Sequence, residues 1–323
     1  MSNKRWLSDI SGNKHLHEIT LPGSHDAGVY GDTTLRSGGK SNLVRCQTGD
    51  IYTQAEHGSR MFDCRVFLKR TGGELQPTMG HFAMEKQGGK TWGTRGETGR
   101  LGGYGGSLIA CVDDAVKFVK ANQREFIILR FSHTYCPNEV AAALTLYKQT
   151  HACADAICTT AGNLAQRRIH GLRGKVIMVF ADEFHTQFDP AAGYLRFSKY
   201  TAGVPAVGGL CTCGIYVSTK DMTKVKSNAD QALNDHSKHV IADHLSFVYW
   251  QRTGGNVEKS TTSLPKAATR LKGPSDGGTH AQLPAFIQQV RTNMANGTWG
   301  RPNIISHDFV KADTCSQIIA LNY

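Results

Sequence analysis

Residues 125–132 read EFIILRFS, and residues 175–182 read KVIMVFAD. In both, the apolar side chains follow one another almost without a break. A strand with one wet face alternates apolar and polar residues; one covered on both faces has no such need. An unbroken run is therefore expected of a parallel strand with helices packed outside it. Working outward from these two, further strand-like runs fall at His15–Leu21, Arg60–Lys69, Leu75–Ala83, Gly214–Thr219, His244–Gln251 and Asn303–Phe309, with the first pair bounded as Glu125–Ser132 and Lys175–Ala181. Helical patterns lie between them at Leu108–Asn122, Asn138–Gln149, Ala154–His170, Asn228–Ala242, Leu283–Met294 and Asp313–Leu321. Eight strands with intervening helices predict an α/β fold, a TIM-type (β/α)8 barrel with local irregularity, as a single domain over residues 1–323. A doubly wound sheet would also alternate, but no glycine-rich dinucleotide fingerprint follows the first strand. The segment KQGGKTWGTRGETGRLGGYGG, residues 86–106, reads as a glycine-dense insertion, either a lid or a surface excursion.

Bulk properties narrow the function classes. No run approaches the roughly 18 apolar residues of a membrane span. The N-terminal MSNKRWLSDISGNKH has basic residues but no apolar stretch behind them, unlike a secretory signal. The expectation is a protein exported without such a signal or already trimmed, and otherwise cytoplasmic. Basic residues number 37 against 26 acidic, a net charge of +11 that favours anionic partners. No nucleic-acid-binding pattern accompanies the charge, so nucleic acid is not expected. Nine cysteines, an odd number, leave at least one unpaired in the expected monomer. His133, Cys136, His151, Cys153 and Cys158 gather soft ligands in one region, yet their spacings match no zinc finger.

Chemistry-bearing residues recur at strand ends. LPGSHDAGVY, residues 21–30, sets His25 beside Asp26 after a proline-glycine pair, and the preceding HLHEIT reads as the strand that stops there. In HGSRMFDCRVFL, residues 57–68, Asp63 and Arg65 are two apart and share one strand face. A buried ion pair would account for them equally well. ELQPTMGHF carries His81 at the far end of another short strand, and PNIISHDFV ends its strand in His307 and Asp308. Each alone is an ordinary polar strand exit. If the strands are parallel, all four exits form one patch at the face where barrels of this kind build their chemistry. Two histidines, three carboxylates and an arginine suit acid-base work on a bound phosphate.

The ordered set LPGSHDAG, QAEHGSRMFDCR, the histidine of GHF and IISHDF resembles the bacterial phosphatidylinositol-specific phospholipase C family, of the X-domain type of phosphodiesterase barrel. The resemblance runs from Leu21 to Phe309. It implies that His25 is the general base on the inositol 2-hydroxyl, that Asp308 orients it, and that His81 is the general acid for the diacylglycerol oxygen. It further implies that Arg65 stabilises the phosphate, with Asp26 and Asp63 supporting Arg65 and His81. Eukaryotic relatives hold calcium beside the first histidine; here Arg65 stands in for that charge, so no metal and no cofactor are expected. The lysine usual in the family's fourth strand has no clear equivalent, Ser132 taking its place and Arg130 sharing the strand face. Ala181 stands where relatives often carry an inositol-contacting arginine, leaving Asp182, Tyr216 and Lys220 as candidate headgroup contacts. Trp92 and Tyr104, in the basic glycine-rich segment, are candidates for transient contact with an anionic membrane surface. The implied substrate is a phospholipid, phosphatidylinositol by default, cleaved to diacylglycerol and inositol 1,2-cyclic phosphate. Two alternatives stand beside this reading: a phosphodiesterase for another headgroup, and a catalytically weak lipid- or anion-binding barrel.

Overall fold

The computed structural model describes residues 2–36, 44–84, 86–87, 90–91, 97–152, 155–201, 204, 208–237, 241–253 and 278–323. In chain order the strands are β1 (Leu21–Ser24), β2 (Thr34–Arg36), β3 (Met61–Thr71), β4 (Glu74–Met84), β5 (Lys86–Gln87), β6 (Lys90–Thr91), β7 (Arg100–Ser107), β8 (Ile127–Thr134), β9 (Val176–Phe180), β10 (Leu195–Lys199), β11 (Leu210–Cys213), β12 (Leu245–Tyr249) and β13 (Ile304–His307). The α-helices are α1 (Ile51–Glu56), α2 (Leu108–Ala121), α3 (Pro137–Thr150), α4 (Met222–Ser237), α5 (Gly278–Ala295) and α6 (Ala312–Ile319). Strands β1, β3, β8, β9, β10, β11, β12 and β13 pair in parallel, and β1 meets both β13 and β3, so the ring closes. This is the expected (β/α)8 barrel. No helix among the described residues is long and apolar enough to cross a membrane.

The unbroken apolar runs divide as a strand must, with neighbours on opposite faces. Ile127, Leu129 and Phe131 join Val176, Met178 and Phe180 in a layer packed under α2 and α3. Phe126 and Ile128, with Ile177 and Val179, join Leu21, Met61, Leu195, Leu245 and Ile304 in a second cluster that fills the ring. The inward series then turns polar toward the carboxyl ends: Met61 gives way to Asp63 and Arg65, Ile128 to Arg130, and Phe247 to Tyr249. The lower barrel is thus a packed core and the upper barrel a pocket.

The lower end is closed by charge. Arg60, fully buried, donates to Glu125 Oε2 from Nε at 2.9 Å and from Nη2 at 2.6 Å. Four backbone carbonyls, of Ala55, Ser59, Asn3 and Lys4, take its remaining donors, while Glu125 accepts from the amides of Leu7 and Ser8. The rings of Trp6 and Phe118 lie over the guanidinium at 5.9 and 4.7 Å. The N-terminal 3₁₀ segment Asn3–Asp9 is thereby tied beneath β3 and β8.

Several expected elements differ. His15–Leu21 is not a strand; a 3₁₀ turn occupies Leu16–Glu18, and β1 is formed by LPGS itself. Leu75–Ala83 lies in β4, which is antiparallel to β3 and outside the ring. The turn between them, Gly72-Gly73, has φ of 57° and 92°, positive at both central residues as a tight two-residue hairpin requires. Gly214–Thr219 is irregular, and the two remaining ring strands are β10 and β11, which the apolar pattern missed because LRFSK and LCTC interleave polar residues and form no apolar run. Ala154–His170 forms 3₁₀ turns at Leu164–Gln166 and Ile169–Gly171, and the helix expected at Asn228–Ala242 is α4, which starts earlier and ends sooner. The second half of the glycine-dense segment is β7, paired with β4 and β2. Its glycines allow backbone to lie on backbone: a Cβ at Gly102 would sit 2.0 Å from the His81 carbonyl oxygen, and one at Gly105 2.1 Å from that of Gly28. Trp92 lies outside the described residues.

Candidate active site

The side chains reach the site by four routes, from the ring strands β1, β3 and β13 and from the hairpin strand β4. β1 delivers His25 and Asp26 at its carboxyl end, where the His25 amide donates to His307 O and the Ala27 amide to Asp63 O, lashing the turn to β13 and β3. Asp26 takes φ of 42°, left-handed backbone that aspartate tolerates better than most residues. β13 ends at Asp308. Gln47, buried in the loop before α1, donates to His25 O at 2.9 Å and His307 O at 3.3 Å and accepts from the Val310 amide at 2.9 Å. That one amide fixes the first and last strand exits together. His81 arrives differently, from antiparallel β4, so the patch is three ring exits and one hairpin rather than four exits.

His25 Nδ1 lies 2.8 Å from Asp308 Oδ1, and its Nε2 lies 3.4 Å from Asp26 Oδ2. A carboxylate only accepts, so Nδ1 carries the proton and a neutral His25 presents its lone pair at Nε2. His81 repeats the arrangement with a neutral partner: its Nδ1 donates to Val44 O at 3.0 Å, leaving Nε2, 3.7 Å from Asp26 Oδ2, as the atom that can deliver a proton. The two rings stand 6.4 Å apart, close enough for one phosphodiester to meet both. Arg65 Nε is 3.0 Å from Asp26 Oδ1, an ion pair without the alignment of a hydrogen bond. Asp26 therefore supports both Arg65 and His81. Asp63 instead pairs with Arg130, whose Nη1 is 3.0 Å from Asp63 Oδ1 and whose guanidinium lies over Phe197 and Phe247 at 4.2 and 4.8 Å. Of the two carboxylates expected to support Arg65 and His81, Asp26 touches both, and Asp63 stands beside it, braced by Arg130.

Electrostatics follow from these contacts. Burial alone would favour the neutral ring of His25, but the carboxylates of Asp26 and Asp308 outweigh it and hold its pKa up at about 9. Asp26 is likewise penalised by burial, yet Arg65, His25 and His81 bring it down to about 2. His307, the neighbour of Asp308, is the opposite case. Burial depresses it to about 3, and its Nε2 bonds Thr314 Oγ1 at 2.9 Å, a neutral core imidazole.

Above this cluster lies a cleft of about 640 Å³, lined by His25, Asp63, Arg65 and Arg130 on one side and by Asp182, Lys199, Tyr216, Tyr249 and Gln251 on others. Tyr216, 46% exposed, stands edge-on to Tyr249. Asp182 lines the cleft but is mostly exposed and paired with Arg196 at 3.2 Å. Lys220 is exposed and does not line it. Tyr104 is corrected outright: its ring is buried and its hydroxyl donates to Leu68 O and Thr98 O, so it offers nothing to a membrane. Tyr249, Gln251 and Gln47 went unread in the sequence, and His133, grouped there with soft metal ligands, instead lines the cleft. Tyr249 and Gln251 continue the inward series from Phe247, a period-two signal that was there to be followed. His133 sits past a register shift between β3 and β8, where Cys64 pairs Phe131 but Arg65 pairs His133. Gln47 lies in irregular chain and carried no signal.

The barrel that carries these groups has solved counterparts. The fold is that of the bacterial phosphatidylinositol-specific phospholipases C. The solved enzyme from Listeria monocytogenes superposes with a TM-score of 0.62 over 100% of this chain and 99% of its own, at 16% identity. A fluorinated variant of the Staphylococcus aureus enzyme gives 0.63 over 100% and 98%, at 17% identity. In sequence, two 1-phosphatidylinositol phosphodiesterases from Staphylococcus aureus strains Newman and NCTC 8325 / PS 47 are each 42% identical to this chain over 64 residues. That stretch is 20% of this chain and 20% and 19% of those relatives. No protein-family profile matches the chain. At these identities the solved neighbours establish the barrel, and the chemistry rests on the residues above.

Proposed function

We propose that this protein is a phosphatidylinositol-specific phospholipase C that works by general acid-base catalysis without a catalytic metal. The observation that carries the reading is the pair of imidazoles 6.4 Å apart, each with its Nδ1 proton committed elsewhere and an arginine beside them. A phosphodiester is a poor electrophile and its alkoxide a poor leaving group. His25 Nε2 takes the proton of the inositol 2-hydroxyl as that oxygen attacks phosphorus, and the attack is intramolecular. Arg65 holds the phosphate oxygens as charge builds. His81 protonates the departing glycerol oxygen, and diacylglycerol leaves with inositol 1,2-cyclic phosphate as the other product. Asp308 keeps His25 in its tautomer and stabilises the imidazolium formed.

The lipid is presented by a membrane surface. Val204 and Tyr216, exposed at 56% and 46% on the loops after β10 and β11, put apolar surface at the same end of the barrel as the cleft. A net charge of +11 adds attraction to anionic lipid. A monomer suffices, since one chain supplies every catalytic group named. The absent arginine at Ala181 favours one second reading, a different phosphodiester headgroup in the same site. Phosphorus NMR of the products from a panel of phospholipids separates the two. A cyclic phosphate from phosphatidylinositol alone is the expected result, and turnover only of another headgroup replaces it with the second reading.

Chelation provides a separate check. Activity is expected to persist in excess EDTA because Arg65 supplies the fixed positive charge at the phosphate. Loss of turnover restored by calcium alone would show that assignment to be mistaken.

The pH profile tests His25. Its base form is in the minority at neutral pH, so kcat/KM is expected to climb from below pH 6.5 toward about 9. Asp308→Asn removes one of the two carboxylates that hold the ring charged, and moves that rising limb to lower pH. A wild-type limb at or below pH 6.5, or one unmoved by the variant, contradicts the electrostatic account. The same proton contributes stability that is complete below pH 6.5 and is lost as pH rises through about 9.

A further inference from the structure

The C-T-C of residues 211–213 has no part in the cleft, yet the fold brings its second cysteine against two distant histidines. Cys213 ends β11, His236 lies in the last turn of α4, and His244 immediately precedes β12. The register Cys213 to Ser246 sets β11 directly beside β12, and α4 packs on β12 from outside. Cys213 Sγ is 3.5 Å from His236 Nδ1, which is 3.2 Å from His244 Nε2, and all three donor atoms lie within 4.8 Å of one another.

We propose that Cys213, His236 and His244 form a binding site for a soft divalent transition metal, with zinc the best match. The donor spacing is the first argument. Bond lengths of about 2.0–2.1 Å to nitrogen and about 2.3 Å to sulfur give tetrahedral edges of about 3.3 Å between nitrogens and about 3.6 Å from nitrogen to sulfur. The two short edges here, 3.2 and 3.5 Å, fall beside those values. One thiolate and two imidazoles are also the ligand types that select zinc over calcium or magnesium.

The second argument is that the rings are held before any ion arrives. His236 and His244 are buried, at 0% and 1% exposure. The His244 ring stacks on Tyr200 at 4.2 Å, and the two histidine rings stand 5.0 Å apart at 74°. Gly300 walls His236 on another side, where a Cβ would come within 2.6 Å of its ring. Cys213 is only partly buried, which gives the ion an approach and leaves one coordination position for water. On binding, the thiol proton goes to solvent and the thiolate bonds the metal. The ion would pin α4 to the β11–β12 edge, three residues before Tyr216 enters the cleft. This is a structural role, separate from the acid-base site and independent of the proposed lipid substrate.

Cobalt(II) titrated into the full-length protein reports the site directly. The expected result is about one equivalent bound per chain, with tetrahedral ligand-field bands and a near-ultraviolet thiolate-to-cobalt band, both displaced by zinc. Zinc should also raise the melting temperature. Cys213→Ser, at a partly exposed position, is expected to keep the wild-type circular dichroism and lose both the thiolate band and the zinc-induced shift. Absence of a thiolate band in the wild type overturns the proposal. So does an equal band in Cys213→Ser, which would place the ion at another cysteine such as Cys46, or an equal shift, which would place it at a site such as His15, His17 and Glu18. Lipid turnover measured in parallel keeps the two readings apart, since its failure bears on the acid-base site and leaves the cobalt spectrum unchanged.

Discussion

His25→Ala and His81→Ala are each expected to lose about 10²–10⁴-fold in turnover of phosphatidylinositol, the scale of a positioned proton transfer. Their losses differ in kind. His81 protonates a glycerol alkoxide, so an inositol phosphate ester with an acidic phenol as leaving group removes the need for it. That substrate is expected to restore most of the rate in His81→Ala. It leaves His25→Ala impaired, because the attacking hydroxyl still requires a base. Asp308→Asn is expected to resemble a milder His25 defect, since the carboxylate acts through the ring 2.8 Å away. The measurement is kcat/KM for both substrates in all three variants. Equal rescue of the two histidine variants, or near-native turnover of natural lipid in either, removes this division of roles and brings forward a barrel that binds without catalysing.

The second large effect lies at the other end of the barrel. Glu125→Ala strands the Arg60 guanidinium, fully buried, without its carboxylate. Breaking a buried pair in this way costs about 3–5 kcal/mol, a large share of the roughly 5–15 kcal/mol that holds a domain folded. The expected result is a clear fall in the denaturant midpoint with an unchanged slope. The double replacement Arg60→Met with Glu125→Met is expected to be less damaging than Glu125→Ala alone, because it leaves no orphaned charge. A midpoint within error of wild type for Glu125→Ala would show that solvent reaches Arg60. Neither residue touches the cleft, so turnover measured well below the midpoint should survive.

Both sites bear on how far the chain could be read in advance. Side-chain direction along a strand alternates by geometry, so EFIILRF and KVIMVFA already implied two covered faces, and Asp63 with Arg65 already implied one polar layer above Met61. His25, Asp26, His81 and Asp308 were legible as polar groups at the ends of apolar runs, and Arg65 as a charge sharing one face of a buried strand with Asp63. What stayed hidden were contacts between segments with no local signature. The antiparallel turn of β4 that swings His81 inward, the bond network of Gln47, and the pairing of Asp63 with Arg130 rather than Arg65 depend on which strand lies next to which. Arg60 with Glu125, and Cys213 with His236 and His244, are the same case: residues far apart in sequence with no shared periodicity. Along β3, β8 and β9 the local pattern alone reveals which side chains face inward, since that follows from two torsions per residue and the aversion of apolar surface to water. Only the closed ring decided which of those inward groups meet, because ring closure fixes neighbours across hundreds of residues and no local pattern records them.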